Sequence, residues 1–126
     1  MTLPLPRLHA VTDDRVTLGD VVATAVAMAE AAGPSLAVHL RTRALEGGAF
    51  LRLARELSAA LTRHGSWLVV NDRADIARAA RAQAVVSGRG GLSVADVRRV
   101  APSALVARSV HDTAAARQAA AEGADF

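Results

Sequence analysis

The chain has 126 residues, 52% hydrophobic and 21% charged, enough for one globular domain with a buried core and too apolar for a disordered segment. A net charge of +3 and a pI near 11.2 raise the question of nucleic acid, but aromatic residues make up only 2% and the arginines are dispersed, so stacking platforms and a basic stripe are both missing. The absence of cysteine excludes disulfides, thiolate metal sites and a cysteine nucleophile. The opening MTLPLPRLHAVTDD has no basic leader followed by an apolar core, and the longest Ala/Val run is broken by Glu30. The expectation is a cytoplasmic protein with neither nucleic acid nor membrane as partner.

Leu8 to Thr12 reads as a short strand, followed by the polar turn Asp13-Asp14-Arg15. Thr17-Leu18-Gly19-Asp20 has capping-box spacing, and Val21, Val22, Ala25, Met28 and Ala29 recur at helical spacing until Gly33-Pro34 ends the helix. A second strand, Leu36 to Leu40, leads into a polar loop from Arg41 to Gly48. The next helix gathers Phe50, Leu53, Ala54, Leu57 and Leu61 on one face and ends at Gly65. Trp67 to Val70 form a third strand that runs into Asn71-Asp72-Arg73 and a helix from Ala74 to about Arg81. Ala84 to Val86 make a very short fourth strand before the loop Ser87-Gly88-Arg89-Gly90-Gly91. Ser93-Val94-Ala95-Asp96 caps another helix, with Pro102 beyond its end. Leu105 to Ala107 give a fifth strand ending in Arg108-Ser109-Val110-His111, Asp112 caps an Ala-rich helix ending at Glu122-Gly123, and Ala124-Asp125-Phe126 read as the approach to a sixth strand.

Strands that alternate with helices pair in parallel through right-handed crossovers. Their C-terminal ends therefore share one edge, where ligands meet open sheets and barrels alike. Nearly every predicted strand ends there in polar residues. The sharpest case is LAVHLRTR, in which Arg41 and Arg43 stand two apart and project to the same side of an extended backbone. Two converging guanidiniums suit an anion such as phosphate, while the plain alternative is two solvated loop arginines.

The segments LHAVTDDR, VHLRTR, VVNDRADIA, ARSVHD and AAAEGADF together resemble, in order and along the whole chain, the thiamine phosphate synthase and TenI family of (β/α)8 barrels. The resemblance implies an α/β TIM-barrel domain with about five βα units plus the start of strand six. It implies one of two activities: a synthase that joins a pyrimidine diphosphate to a thiazole phosphate with Mg²⁺, or a thiazole tautomerase that needs no cofactor. The synthase pattern close to Gln-x-Arg-x-Lys reads here as His39, Arg41 and Arg43, which makes these three substrate- or phosphate-site residues. Asn71 and Ser109 join them as substrate contacts, and Asp72 falls where the family's first metal carboxylate stands. The second metal carboxylate, in the pattern HLGQxD, is replaced by Gly91. The family's principal histidine follows strand six and has no counterpart up to Phe126, so no catalytic residue is carried over.

The openings LHAVTDD and ARSVHD are closer to the TenI branch, and the expected function is that of a TenI-like thiazole tautomerase acting on a thiazole carboxylate phosphate. The alternatives are a diverged synthase, favoured by Asn71-Asp72, and a non-catalytic module that binds a phosphorylated ligand. For proton transfer, His9, His39 and His111 are the titratable groups near the site edge, with an inward-filling role for His9 as the plain alternative. Five strands and a beginning imply an incomplete barrel, poorly active alone, or an open sheet that associates, with homo-oligomers among the options.

Overall fold

A computed structural model describes residues 4–15 and 18–126. The element order is β1 (Leu8–Val11), α1 (Leu18–Ala32), a 3-10 turn (Gly33–Ser35), β2 (Leu36–Leu40), α2 (Gly47–Thr62), β3 (Trp67–Asn71), α3 (Ala74–Ala80), β4 (Ala84–Ser87), α4 (Val94–Val100), β5 (Leu105–Arg108) and α5 (Thr113–Ala121). All five strands are parallel and adjacent in chain order, β1 to β5. This is an α/β fold in a partial TIM-barrel-like arrangement of five βα units.

The alternation of side chains along each strand sorts the apolar residues into two layers. Leu36, Val38 and Leu40 of β2, Leu68 and Val70 of β3, Val85 of β4 and Val106 of β5 pack against the helices, meeting Phe50, Leu57, Leu61, Ile76 and Val97 in one buried cluster. The intervening residues Ala37, Trp67, Val69 and Ala84 form a separate cluster on the other face, joined by Val86, Leu105 and Phe126. Apolar helix residues occur only in the first cluster, so the helices cover one face and the second face is the inner, barrel-side one. β1 pairs only with β2 in this sheet, and its Leu8 and Val11 are more than half exposed.

Boundaries differ from the sequence expectation by a residue or two. β3, β4 and β5 each run one residue further, to Asn71, Ser87 and Arg108, because parallel pairing continues into the polar residues. Helix α2 begins at Gly47, earlier than expected, since Glu46 adopts an extended N-cap conformation and its carbonyl already accepts the Phe50 amide at 2.8 Å.

The caps at Ser93 and Asp112 form as the spacing predicts, with Ser93 Oγ accepting the Asp96 amide at 3.1 Å and Asp112 Oδ1 that of Ala115 at 2.7 Å. The box expected at Thr17 lies outside the described residues. Ala124-Asp125-Phe126 lies beside β5: the Asp125 amide donates to Val106 O at 2.7 Å and the Arg108 amide to Phe126 O at 3.1 Å, although no sixth strand is formed among the described residues. No helix among the described residues is long and apolar enough to cross a membrane.

Candidate active site

Parallel order puts the C-terminal ends of all five strands on one edge, and there a cavity of about 880 Å³ opens on the inner face. His39, Arg41, Arg43, Asn71, Asp72 and Ser109, chosen from sequence, all line it, as do His9 and His111. Three arginines not selected from sequence join them: Arg73, Arg89 and Arg108. Their only signal in the chain is position, for each stands at or just past a strand's end. Five arginines thus face one aspartate, Asp72, across the cavity.

The backbone that presents Arg41 and Arg43 is tied down by β1. The Arg41 amide donates to Thr12 Oγ1 at 2.9 Å, and the Thr12 hydroxyl returns a bond to Arg41 O at 3.0 Å. One residue pair further, Asp14 accepts from the Thr42 hydroxyl at 2.5 Å and from the Arg43 amide at 3.1 Å. The Thr42 hydroxyl is the main reason the Asp14 carboxyl sits below its ordinary pKa, with the amides of Arg43 and Ala44 adding to it. These bonds use the main chain and Thr42, so Asp14 fixes the loop without quenching either guanidinium through an ion pair.

Arg73 differs. It forms a two-pronged pair with Asp75, at 2.9 and 2.8 Å, which lowers the Asp75 pKa and compensates the arginine's charge.

His9 and His39 are cross-strand neighbours on the inner face, and their Nδ1 and Nε2 atoms lie 2.7 Å apart. His9 Nε2 is 3.0 Å from the Pro6 carbonyl, which can only accept, so that nitrogen carries a proton. In the neutral pair, His9 Nδ1 then accepts from His39 Nε2, and the remaining lone pair lies on His39 Nδ1. Burial first, and the neighbouring His9 second, push the His39 pKa down to about 4. His39 is therefore a neutral ring near pH 7, and His9 is its hydrogen-bond partner as well as a filler that meets the Phe126 ring at 6.3 Å.

Asn71 ends β3 at the cavity wall, and its Oδ1 is buried with no hydrogen-bond partner among the described residues. A buried acceptor left unpaired costs about 1–3 kcal/mol, so a ligand N–H or O–H placed there recovers that cost.

The sequence model of the family described as "Thiamine monophosphate synthase" matches residues 8–126. The chain belongs to the thiamine monophosphate synthase/TenI family. It is 39% identical over 120 residues to a protein named thiamine-phosphate synthase from Methanoculleus marisnigri, covering 94% of this chain and 56% of that protein. It is 37% identical over 125 residues to another of that name from Gloeobacter violaceus, covering 98% of this chain and 35% of that protein. The solved structure of a thiamine phosphate pyrophosphorylase from Pyrococcus furiosus superposes with a TM-score of 0.80 at 22% identity, covering 96% of this chain and 57% of that one, and so shares the fold. The chain spans about half the length, or less, of these relatives.

Against the family pattern, the β4–α4 loop is the point of departure. Gly88 O accepts the Gly91 amide at 3.0 Å and Gly90 has φ +81°, so residues 88–91 close a tight turn whose third position requires glycine. Asp72, itself at φ 61°, anchors this turn by accepting the Gly88 amide on Oδ1 at 2.9 Å. Arg108 holds the other side, donating to Ser87 Oγ at 3.1 Å and to Leu92 O at 3.2 Å. A Cβ at Gly91 would lie 2.9 Å from Ser87 Oγ, 3.1 Å from Gly88 O and 3.2 Å from Asp72 Oδ1.

The turn as folded has no room for the family's second metal carboxylate. Among the described residues no group of three or more His, Asp or Glu side chains is placed to hold a metal ion. Asp72 with a hydrogen-bonded glycine turn opposite does not fit the two-carboxylate Mg²⁺ site of the family pattern.

Proposed function

We propose that the chain acts in thiamin biosynthesis on a phosphorylated heterocycle, and that the reaction is thiamine phosphate synthesis, in which a pyrimidine diphosphate and a thiazole phosphate are joined. The expected tautomerase becomes the second reading, since the similar proteins carry the name of the synthase. The observation that carries the proposal is the convergence of Arg41, Arg43 and Asn71 on one cavity.

In this reading the carbon–oxygen bond between the pyrimidine's methylene and diphosphate breaks, a carbon–nitrogen bond to the thiazole forms, and diphosphate leaves with the electron pair. Arg41 and Arg43 face the place where that negative charge develops, which is where fixed cations lower a barrier most effectively. Asn71 Oδ1 accepts a donor of the heterocycle and orients it, while neutral His39 takes the position of the family's glutamine as a hydrogen-bonding wall.

The tautomerase reading draws on a different feature, the lone pair on His39 Nδ1, which supplies a base without any metal. One experiment separates the two. Supplied with both heterocyclic substrates, the protein releases diphosphate and forms thiamine phosphate, followed by mass spectrometry, and Arg41→Ala lowers the rate. Interconversion of thiazole carboxylate phosphate isomers by NMR, without diphosphate release, selects the tautomerase. Saturable phosphate-ligand binding with neither reaction selects a binding module.

A further inference from the structure

We propose that the phosphate groups of the ligand are held on arginine alone, with the Arg89 turn occupying the place of the family's second metal carboxylate, so that binding requires no divalent cation. This rests on the reading above that the cavity takes a phosphorylated ligand, and it concerns what neutralises that ligand.

The turn over residues 88–91 carries the first observation. It presents Arg89 at its second position, at the cavity edge, while Gly91 is packed too closely for any side chain. Where a metal site needs a second negative group, this loop offers a positive one. The single carboxylate left, Asp72, has one oxygen engaged with the Gly88 amide.

The second observation is independent of the loop. Among the described residues, no carboxylate pairs with the guanidinium of Arg41, Arg43 or Arg89. Arg108 is bonded only to neutral acceptors, Ser87 Oγ and the carbonyls of Gly88 and Leu92. Four of the five cavity arginines therefore form no ion pair among the described residues, and Asp72 is the only described carboxylate that lines the space. Like charges so gathered repel one another, and an anion with several oxygens relieves that repulsion through charge-assisted bonds.

Magnesium normally supplies two positive charges to a diphosphate through one or two carboxylates. Here guanidiniums bring that charge already fixed to the protein. Added Mg²⁺ then competes with the site for the ligand and does not assist it.

The test is calorimetric titration of inorganic diphosphate into the chain, in EDTA and again in Mg²⁺. The expected result is saturable binding in EDTA that is as tight as, or tighter than, binding in Mg²⁺. Arg89→Ala should weaken the EDTA binding roughly tenfold or more. Arg117→Ala, on α5 and outside the cavity, should leave it within about twofold. Binding that appears or tightens about tenfold only when Mg²⁺ is present overturns the inference and leaves the phosphate-site reading standing. No binding in either buffer overturns both. Equal losses from Arg89→Ala and Arg117→Ala reduce the effect to net charge and overturn the assignment of Arg89.

Discussion

Replacing His39 by glutamine should flatten the acid side of the stability profile. His39 has an ordinary pKa of 6.5 and one of about 4 in the folded chain, because the ring is half-buried beside His9. Between these values the unfolded chain binds more protons than the folded one, so stability rises with pH, and acidification through the window from 6.5 down to about 4 favours unfolding. A pKa difference of one unit corresponds to about 1.4 kcal/mol, which sets a ceiling of about 3 kcal/mol on the effect. The ring keeps some contact with water, and screening reduces this to about 1–2 kcal/mol.

Glutamine keeps a donor for His9 Nδ1 but does not titrate. In urea unfolding from about pH 7 to about pH 4.5, wild type should lose about 1–2 kcal/mol more than His39→Gln. Carboxylates titrate in both proteins, so the difference between the two curves isolates the ring. Equal pH slopes, or an NMR titration that finds the His39 ring protonating near its ordinary 6.5, would refute the reasoning.

Gly91→Ala should lower the urea midpoint by the equivalent of about 1–3 kcal/mol, because the new Cβ meets Ser87 Oγ at 2.9 Å and the neighbouring carbonyl at 3.1 Å; an unchanged midpoint would show that the turn yields freely. Leu57→Ala, at a fully buried position of α2, should cost about 2–5 kcal/mol by the same measurement. Asp72→Ala should speed hydrogen exchange at the Gly88 amide, whose bond at 2.9 Å it removes, whereas Asp72→Asn keeps an acceptor oxygen and should leave that amide protected.

Much of the fold was legible in the residues because two periodicities rarely compete in this chain. Buried strand segments such as Trp67–Val70 are short continuous apolar runs, and α2 sets Phe50, Leu53, Leu57 and Leu61 along one stripe. Arg41 and Arg43 could be placed at the site edge because parallel order alone decides which strand ends share it. The His9–His39 bond was hidden, since it joins residues 30 apart in sequence whose meeting depends on the β1–β2 register, Val11 opposite His39. Arg108 was hidden for a related reason: its partners Ser87 and Leu92 flank a turn whose shape rests on Gly90 and on the Asp72 anchor, features that a glycine-rich segment alone does not specify. The gap left by the family's second carboxylate was visible at Gly91, but not that the space itself is closed.

The bonds that link successive strand ends have a consequence for how such a site can change its chemistry. Thr12 is tied to Arg41, Asp14 to Thr42 and Arg43, Asp72 to Gly88, Ser87 to Arg108, and the Ser109 amide to Ser87 O at 3.2 Å. Together they clasp β1 to β2, β3 to β4 and β4 to β5 at the rim, through main-chain groups, short hydroxyl or carboxylate side chains and the Arg108 guanidinium. The side chains of Arg41, Arg43, Asn71 and Arg89 hang from these clasps without forming them. Exchanging them alters what the cavity recognises at little mechanical cost, while exchanging Thr12, Asp14 or Asp72 unfastens neighbouring loops from each other.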